Sequence, residues 1–155
     1  MLLTDLLMRD CVKVPLEARE KTGAIEELLD LLRQTGRLGE SFEAVREAVL
    51  VREKIRSTGV GQGFAIPHGK TAAVDEMMLA VGKTLQPIDF GSIDGQPVEV
   101  IVLLISPARQ TGEHIQALAR ISRVMTDRTA RGRLWGAKDA EEFYRALDEY
   151  EQQAH

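Results

Sequence analysis

Several things are scarce in this sequence, and each scarcity removes a class of protein. There is one cysteine, Cys11. A single thiol cannot close an intrachain disulfide or build a zinc cluster of several thiolates. Aromatic residues make up only 5% of the 155 positions, so the core has to come mostly from Leu, Ile, Val, Ala and Met. Positive charge is not in excess: the formal net charge is −4. Nucleic acid is therefore not expected as the main partner, because binding a phosphate backbone needs a net basic face. A local basic patch remains open around Arg128, Arg131 and Arg133. No apolar run approaches the ~20 residues that span a bilayer. The longest, Val98 to Ile105, is interrupted by Glu99. The N-terminal MLLTDLLMRDC lacks a basic region followed by a long apolar stretch, so it does not read as a secretory signal. The expectation is a soluble cytoplasmic protein, not an integral membrane one.

What is present is globular. Hydrophobic residues are 44% and charged residues 28%. The length suits one ordinary domain. No repeat, low-complexity stretch or linker divides the chain, so residues 1–155 read as one domain. Residues 12–16 form a short predicted strand. An amphipathic helix spans about 22–35, where Ile25, Leu28, Leu29 and Leu32 follow the i, i+3, i+4, i+7 rule, and Gly36 ends it. A second helix runs from about 41 to 54, with Ser41 as its expected N-cap and Glu43 in its first turn. Phe42, Val45, Ala48 and Val49 line its inner face, and Arg52 falls on the same stripe. An arginine there either snorkels to a salt bridge or opens onto a cleft.

Residues 57–63, STGVGQG, read as a loop. FAIP follows as a short strand ending at His68, and 77–85 reads as another strand. Asp94-Gly95 is a turn signal. VEVIVLLIS, 98–106, has the near-continuous apolar pattern of a strand buried on both faces. Helices are expected at about 112–126 with Thr111 as N-cap, at 129–135, and from Asp139, where Glu142 three residues on suggests a capping box. On the first of these, His114, Leu118, Ile121 and Met125 share one line. Strands interleaved with helices give an α/β class, with helices on both faces of a sheet.

Two nucleotide motifs fail. Gly59-Val-Gly61-Gln-Gly63 has GxGxG spacing and follows a helix, so it is not a dinucleotide fingerprint. Gly69-Lys70-Thr71 resembles the end of a P-loop, but Phe64 stands where that loop needs its first glycine. Histidines are the remaining candidates. There are three, and His155 is the last residue, read as a frayed tail. His68 lies between Pro67, which fixes the chain's approach, and Gly69, which leaves room beside the ring. That suits an oriented nucleophile, and it equally suits an ordinary turn histidine. His114 falls in the first turn of a helix, where the positive end of the dipole favours an anion and a neutral imidazole. A core-edge histidine packed on Leu118 fits the same position. Zinc is not expected, because no third ligand is marked out beside the two histidines.

The run Arg52-Glu53, then STGVGQGFAIPHGK from Ser57 to Lys70, closely resembles the active-site signature of fructose/mannitol-type enzyme IIA proteins. These are the type-2 enzyme IIA components of the phosphoenolpyruvate-dependent phosphotransferase system. The block from Pro97 through Pro107, then Thr111-Gly-Glu-His114-Ile, is similar too. The resemblance spans essentially the whole chain. IDFGSIDGQPV and SPARQTGEHIQALARIS look most like the free-standing nitrogen-regulatory branch. Gln62, where that branch often has asparagine, and Phe64, where it often has isoleucine, depart from it. The resemblance implies a mixed, mainly parallel sheet sandwiched between helices. It implies that His68 is phosphorylated on Nε2 by an HPr-like phosphoprotein. His114 would hydrogen-bond the phosphoryl group or hold the acceptor ring, and Arg52 would offset charge. Thr58, Gly59, Gly61, Gln62 and Gly63 would sit at the rim and offer backbone N–H groups.

Phosphoryl transfer needs an in-line approach and fixed positive charge, with little covalent help beyond the nucleophile. A neutral imidazole, an arginine and a helix N-terminus can supply these with no cofactor. The expected acceptor is a regulatory or transport target protein or, in the sugar-specific alternative, an enzyme IIB. The absence of a fused IIB or HPr domain favours the regulatory reading. A third reading, a binding module without phosphotransfer, is disfavoured by the intact His68, His114 and Arg52 set.

Overall fold

Val98–Pro107, the apolar run, is the strand on which the rest is assembled. In the computed structural model, which describes residues 1–154, it is β6. The expectation for His155 lies outside the described residues. The other strands are β1 (Leu7–Leu16), β2 (Gly59–Gly61), β3 (Phe64–Ala65), β4 (His68–Thr71) and β5 (Met78–Ile88). The sheet order is β1-β5-β6-β3-β2, and β4 also pairs with β6. β5 and β6 pair antiparallel, as do β2 and β3, while β1 with β5 and both β3 and β4 with β6 are parallel. The sheet is thus mixed and mostly parallel. β6 is flanked along its length, which is why every residue from Val100 to Pro107 is buried.

Five α-helices cover the sheet: α1 (Lys21–Gln34), α2 (Phe42–Ile55), α3 (Thr111–Thr126), α4 (Arg128–Trp135) and α5 (Ala140–Ala154). α1 buries the predicted Ile25, Leu28, Leu29 and Leu32 together with Ala24. Asp127 caps α4 by accepting from the N–H groups of Thr129 and Ala130, and Asp139 accepts from Glu142 N at the start of α5. The last turn of α5 clasps the start of the chain. Glu151 is fully buried and accepts from the N–H groups of Leu3 (2.8 Å) and Thr4 (3.0 Å) and from Arg120 Nε (2.9 Å).

Several expectations change. β1 starts at Leu7 rather than Val12, because pairing with β5 carries the exposed Met8, Arg9 and Asp10, which break the apolar pattern. Ser41 stands at the N-cap of α2 as expected, but its side chain makes no capping bond. A short 3₁₀ turn, Gly39–Ser41, precedes the helix, and Ser41 Oγ donates to the Ala73 carbonyl instead. Thr111 is already helical, and Gln110 occupies the cap position with no side-chain bond. Gly59–Gly61 is a strand rather than loop, forming a tight hairpin with β3. Gln62 sits at φ 60 between them, in the left-handed region that non-glycine residues seldom adopt. The basic patch is dispersed: Arg131 stacks on Trp135 and donates to Met125 O, while Arg133 pairs with Glu149.

Candidate active site

The chain reaches His68 along one interrupted strand. Phe64 and Ala65 pair with Val100 and Ile101, and His68 pairs with Leu104. The register offset is the same on both sides of the gap. Pro67 has no N–H to give to the ladder, so the strand breaks there while its carbonyl still accepts from Leu104 N (3.0 Å). His68 therefore opens β4 instead of closing the strand before it. Gly69 faces the opposite side, toward α2. A Cβ there would meet Val49 N at 3.0 Å and Ala48 C at 3.1 Å, both backbone atoms. The glycine lets α2 lie directly on the strand. Its role is that close approach, not free space beside the imidazole.

The His68 ring is half-buried, and its Nδ1 lies 2.7 Å from the Ile66 carbonyl. A carbonyl can only accept, so in the neutral ring Nδ1 carries the proton and Nε2 keeps its lone pair. Burial is the largest influence on its proton affinity, and Arg52 and Lys70 act in the same direction. Together they hold its pKa below the usual imidazole value despite the bond to Ile66. His68 is thus a neutral ring at pH 7, with the lone pair of Nε2 free.

His114 comes from the first turn of α3 and is almost fully buried. Its ring centroid is 5.2 Å from that of His68, with the planes at 63°. Nδ1 lies 2.7 Å from Ser106 Oγ. Burial, then the charges of His68 and Lys70, push its pKa down to about 4. The line from His114 through Ile121 to Met125 is buried, but Leu118 is half-exposed and lines the cleft instead.

Arg52 is half-buried and lines the same cleft as His68, a space of about 390 Å³ bounded also by Arg56, Thr58, Val60, Ile66, Ile93 and Ser122. One of its donors, Nη1, reaches the Arg56 carbonyl at 2.8 Å, and its other donors have no partner among the described residues. The residue α2 buries is the next one, Glu53. Its carboxylate accepts from Thr58 N (2.9 Å) and Thr58 Oγ1 (2.6 Å) and pairs with Lys21 (2.7 Å). It ties the start of the glycine segment to the end of α2 and to α1.

The rim residues behave differently from expectation. Thr58, Gly59 and Gly61 are buried, and Gln62 is exposed. The N–H of Thr58 is taken by Glu53, that of Gly59 by Ser57 Oγ, and that of Gln62 by Asp94 Oδ2. These three N–H groups build the hairpin and are not offered to a ligand. Gly63 lies against Trp135 of α4. No group of three or more His, Cys, Asp or Glu capable of holding a metal occurs among the described residues.

Two residues of the site carry weak signals in the sequence. Glu53 follows Val49 by four and so continues the stripe as well as Arg52 does, but a carboxylate is an unexpected choice for a buried face. Ser106 is the polar end of the apolar run, and its place beside His114 depends on strand register.

Comparison with known proteins identifies the family. The family profile described as "Phosphoenolpyruvate-dependent sugar phosphotransferase system, EIIA 2" matches residues 5–150. The chain belongs to this family. Among enzyme IIA relatives, it is 37% identical over 150 residues to the nitrogen regulatory protein of Klebsiella oxytoca, covering 95% of this chain and 90% of that protein. It is 32% identical over 151 residues to the fructose-specific EIIABC component of Bacillus subtilis. That match covers 97% of this chain but only 24% of the larger protein. In structure, the chain is similar to the nitrogen regulatory protein IIA-Ntr from Neisseria meningitidis, with a TM-score of 0.83 and 34% identity, covering 92% of this chain and 97% of that one. The enzyme IIA family thus accounts for the α/β fold and for the phosphotransferase class. It includes both regulatory and sugar-specific members.

Proposed function

We propose that this protein is a phosphocarrier that accepts a phosphoryl group on Nε2 of His68 from an HPr-like phosphoprotein and acts as a nitrogen-type regulatory enzyme IIA. The observation that carries the reading is the Nδ1 bond from His68 to the Ile66 carbonyl, which leaves Nε2 bare in a ring of lowered proton affinity. In the step, the Nε2 lone pair attacks phosphorus. The phosphorus–nitrogen bond of the donor breaks, and its electron pair returns to the donor imidazole. Arg52 offsets charge on the transferring oxygens, and His114 holds the acceptor side. A second reading, a sugar-specific enzyme IIA delivering to an enzyme IIB, draws support from the fructose-specific relative. The nitrogen regulatory relatives, matched over nine tenths or more of both chains at 34–37% identity, favour the regulatory one.

The test is incubation with phosphoenolpyruvate, enzyme I and HPr. The expected result is an acid-labile phosphoryl adduct that disappears in His68→Ala. An adduct that survives that substitution would overturn the assignment. Retention of the phosphoryl group in the presence of enzyme IIB proteins favours the regulatory reading, and rapid discharge to one of them the sugar-specific one.

A further inference from the structure

We propose that Ser106 is a positioning residue whose hydroxyl donates to Nδ1 of His114, holding that ring in the tautomer with its proton on Nε2, ready to donate to a phosphoryl group on His68. The inference deepens the functional reading above and rests on it for its purpose, though the tautomer itself is measurable without any phosphoryl transfer.

Ser106 is completely buried near the end of β6. It pairs with Lys70, as Leu104 pairs with His68, so all four lie on one face of the sheet. Its Oγ and His114 Nδ1, 2.7 Å apart, can bond in two senses. If Nδ1–H donates, the hydroxyl proton needs another acceptor. Among the described residues Ser106 Oγ has no hydrogen-bond partner except His114. The hydroxyl proton would then be buried and unsatisfied, a rare and costly condition. If the hydroxyl donates, its proton is satisfied and the imidazole proton must sit on Nε2.

The rest of the site is consistent with that sense. His114 is neutral at pH 7, so its ring has a single N–H, and the nitrogen that carries it decides what the ring can do. The side-chain atoms that are buried and unpartnered among the described residues are Thr84 Oγ1 and Ser92 Oγ. His114 Nε2 is not one of them, and it makes no hydrogen bond there, so it is not sealed from solvent. The ring centroids are 5.2 Å apart, so the His114 ring lies beside the one that would carry the group. The two imidazoles then hold opposite tautomers. His68 is bare at Nε2 to attack, and His114 is protonated at Nε2 to receive the charge that arrives. A carbonyl enforces the first, and a serine hydroxyl the second.

The experiment uses the full chain with ¹⁵N-labelled histidine, read by long-range ¹H–¹⁵N spectra at pH 7 before phosphorylation. His114 is expected to show a protonated Nε2 and a bare Nδ1. In Ser106→Ala the ratio of the two tautomers should fall by about five- to tenfold, the worth of one hydrogen bond, and Ser106→Thr should restore it. With phosphoenolpyruvate, enzyme I and HPr, Ser106→Ala should accept or retain the phosphoryl group about five- to tenfold less well, with Ser106→Thr near wild type. A proton on Nδ1 of wild-type His114, or an unchanged tautomer ratio in a folded Ser106→Ala, would overturn the proposal. Wild-type protein that takes up no phosphoryl group would overturn the functional reading instead, while the tautomer ratio still decides whether Ser106 sets the ring.

Discussion

At the scale of single residues, the proposed site holds two imidazoles uncharged at neutral pH. His114 binds its proton near pH 4 in the folded chain and near 6.5 when unfolded. Between those values the unfolded state holds more protons, so folding stability falls as the pH drops from about 6.5 to about 4. The loss from this residue amounts to roughly 2–3 kcal/mol. Histidine NMR should show His114 titrating near 4, and thermal melts of His114→Gln should lose less stability across that window than wild type. A titration midpoint near 6.5 would contradict the buried, neutral ring. Spacing alone leaves both histidines open to an ordinary structural reading, and it is the family resemblance that singles them out. Glu53 lies in the resembling run without a role, and Ser106 carries none, because a lone polar residue on an apolar stripe or run shows no partner until the chain is folded.

At the scale of elements, the site is the meeting of β4, the end of α2 and the start of α3. α2 lies on β4 through Gly69. Gly69→Ala would push a methyl group against the backbone of Ala48 and Val49, costing about 1–3 kcal/mol. It should also slow phosphorylation, because the next residue back is His68. Melting temperature and phosphorylation rate measured together check this, and a neutral result would show that α2 can yield. Glu53 clasps the hairpin from beneath. Glu53→Ala leaves the Thr58 N–H, its hydroxyl and Lys21 without that carboxylate, at a cost of about 2–3 kcal/mol, readable by denaturant unfolding. The elements themselves follow from the sequence wherever one period dominates, as in α1 and β6. The first arm of the hairpin, Gly59–Gly61, does not follow from the sequence, because three glycines in alternation look like loop, whereas Phe64 and Ala65 read as strand there and pair with β6.

At the scale of the whole molecule, β6 links the two ends of the site, carrying the partner of His68 at Leu104 and Ser106 beside His114. Periodicity identified β6 as buried but could not give the sheet order, since pairing between distant strands leaves no local mark. Far from the site, Glu151 ties α5 to the chain's start. Glu151→Ala should cost about 3 kcal/mol by stranding two backbone N–H groups and Arg120, yet leave the phosphorylation rate of the folded protein unchanged. Calorimetry beside a phosphorylation assay separates the two. The central claim concerns one atom. After phosphorylation by HPr, ¹⁵N–³¹P correlation on histidine-labelled protein locates the phosphorus. The bond from Nδ1 of His68 to Ile66 predicts coupling to Nε2 of His68, and coupling to its Nδ1, or to either nitrogen of His114, would contradict it.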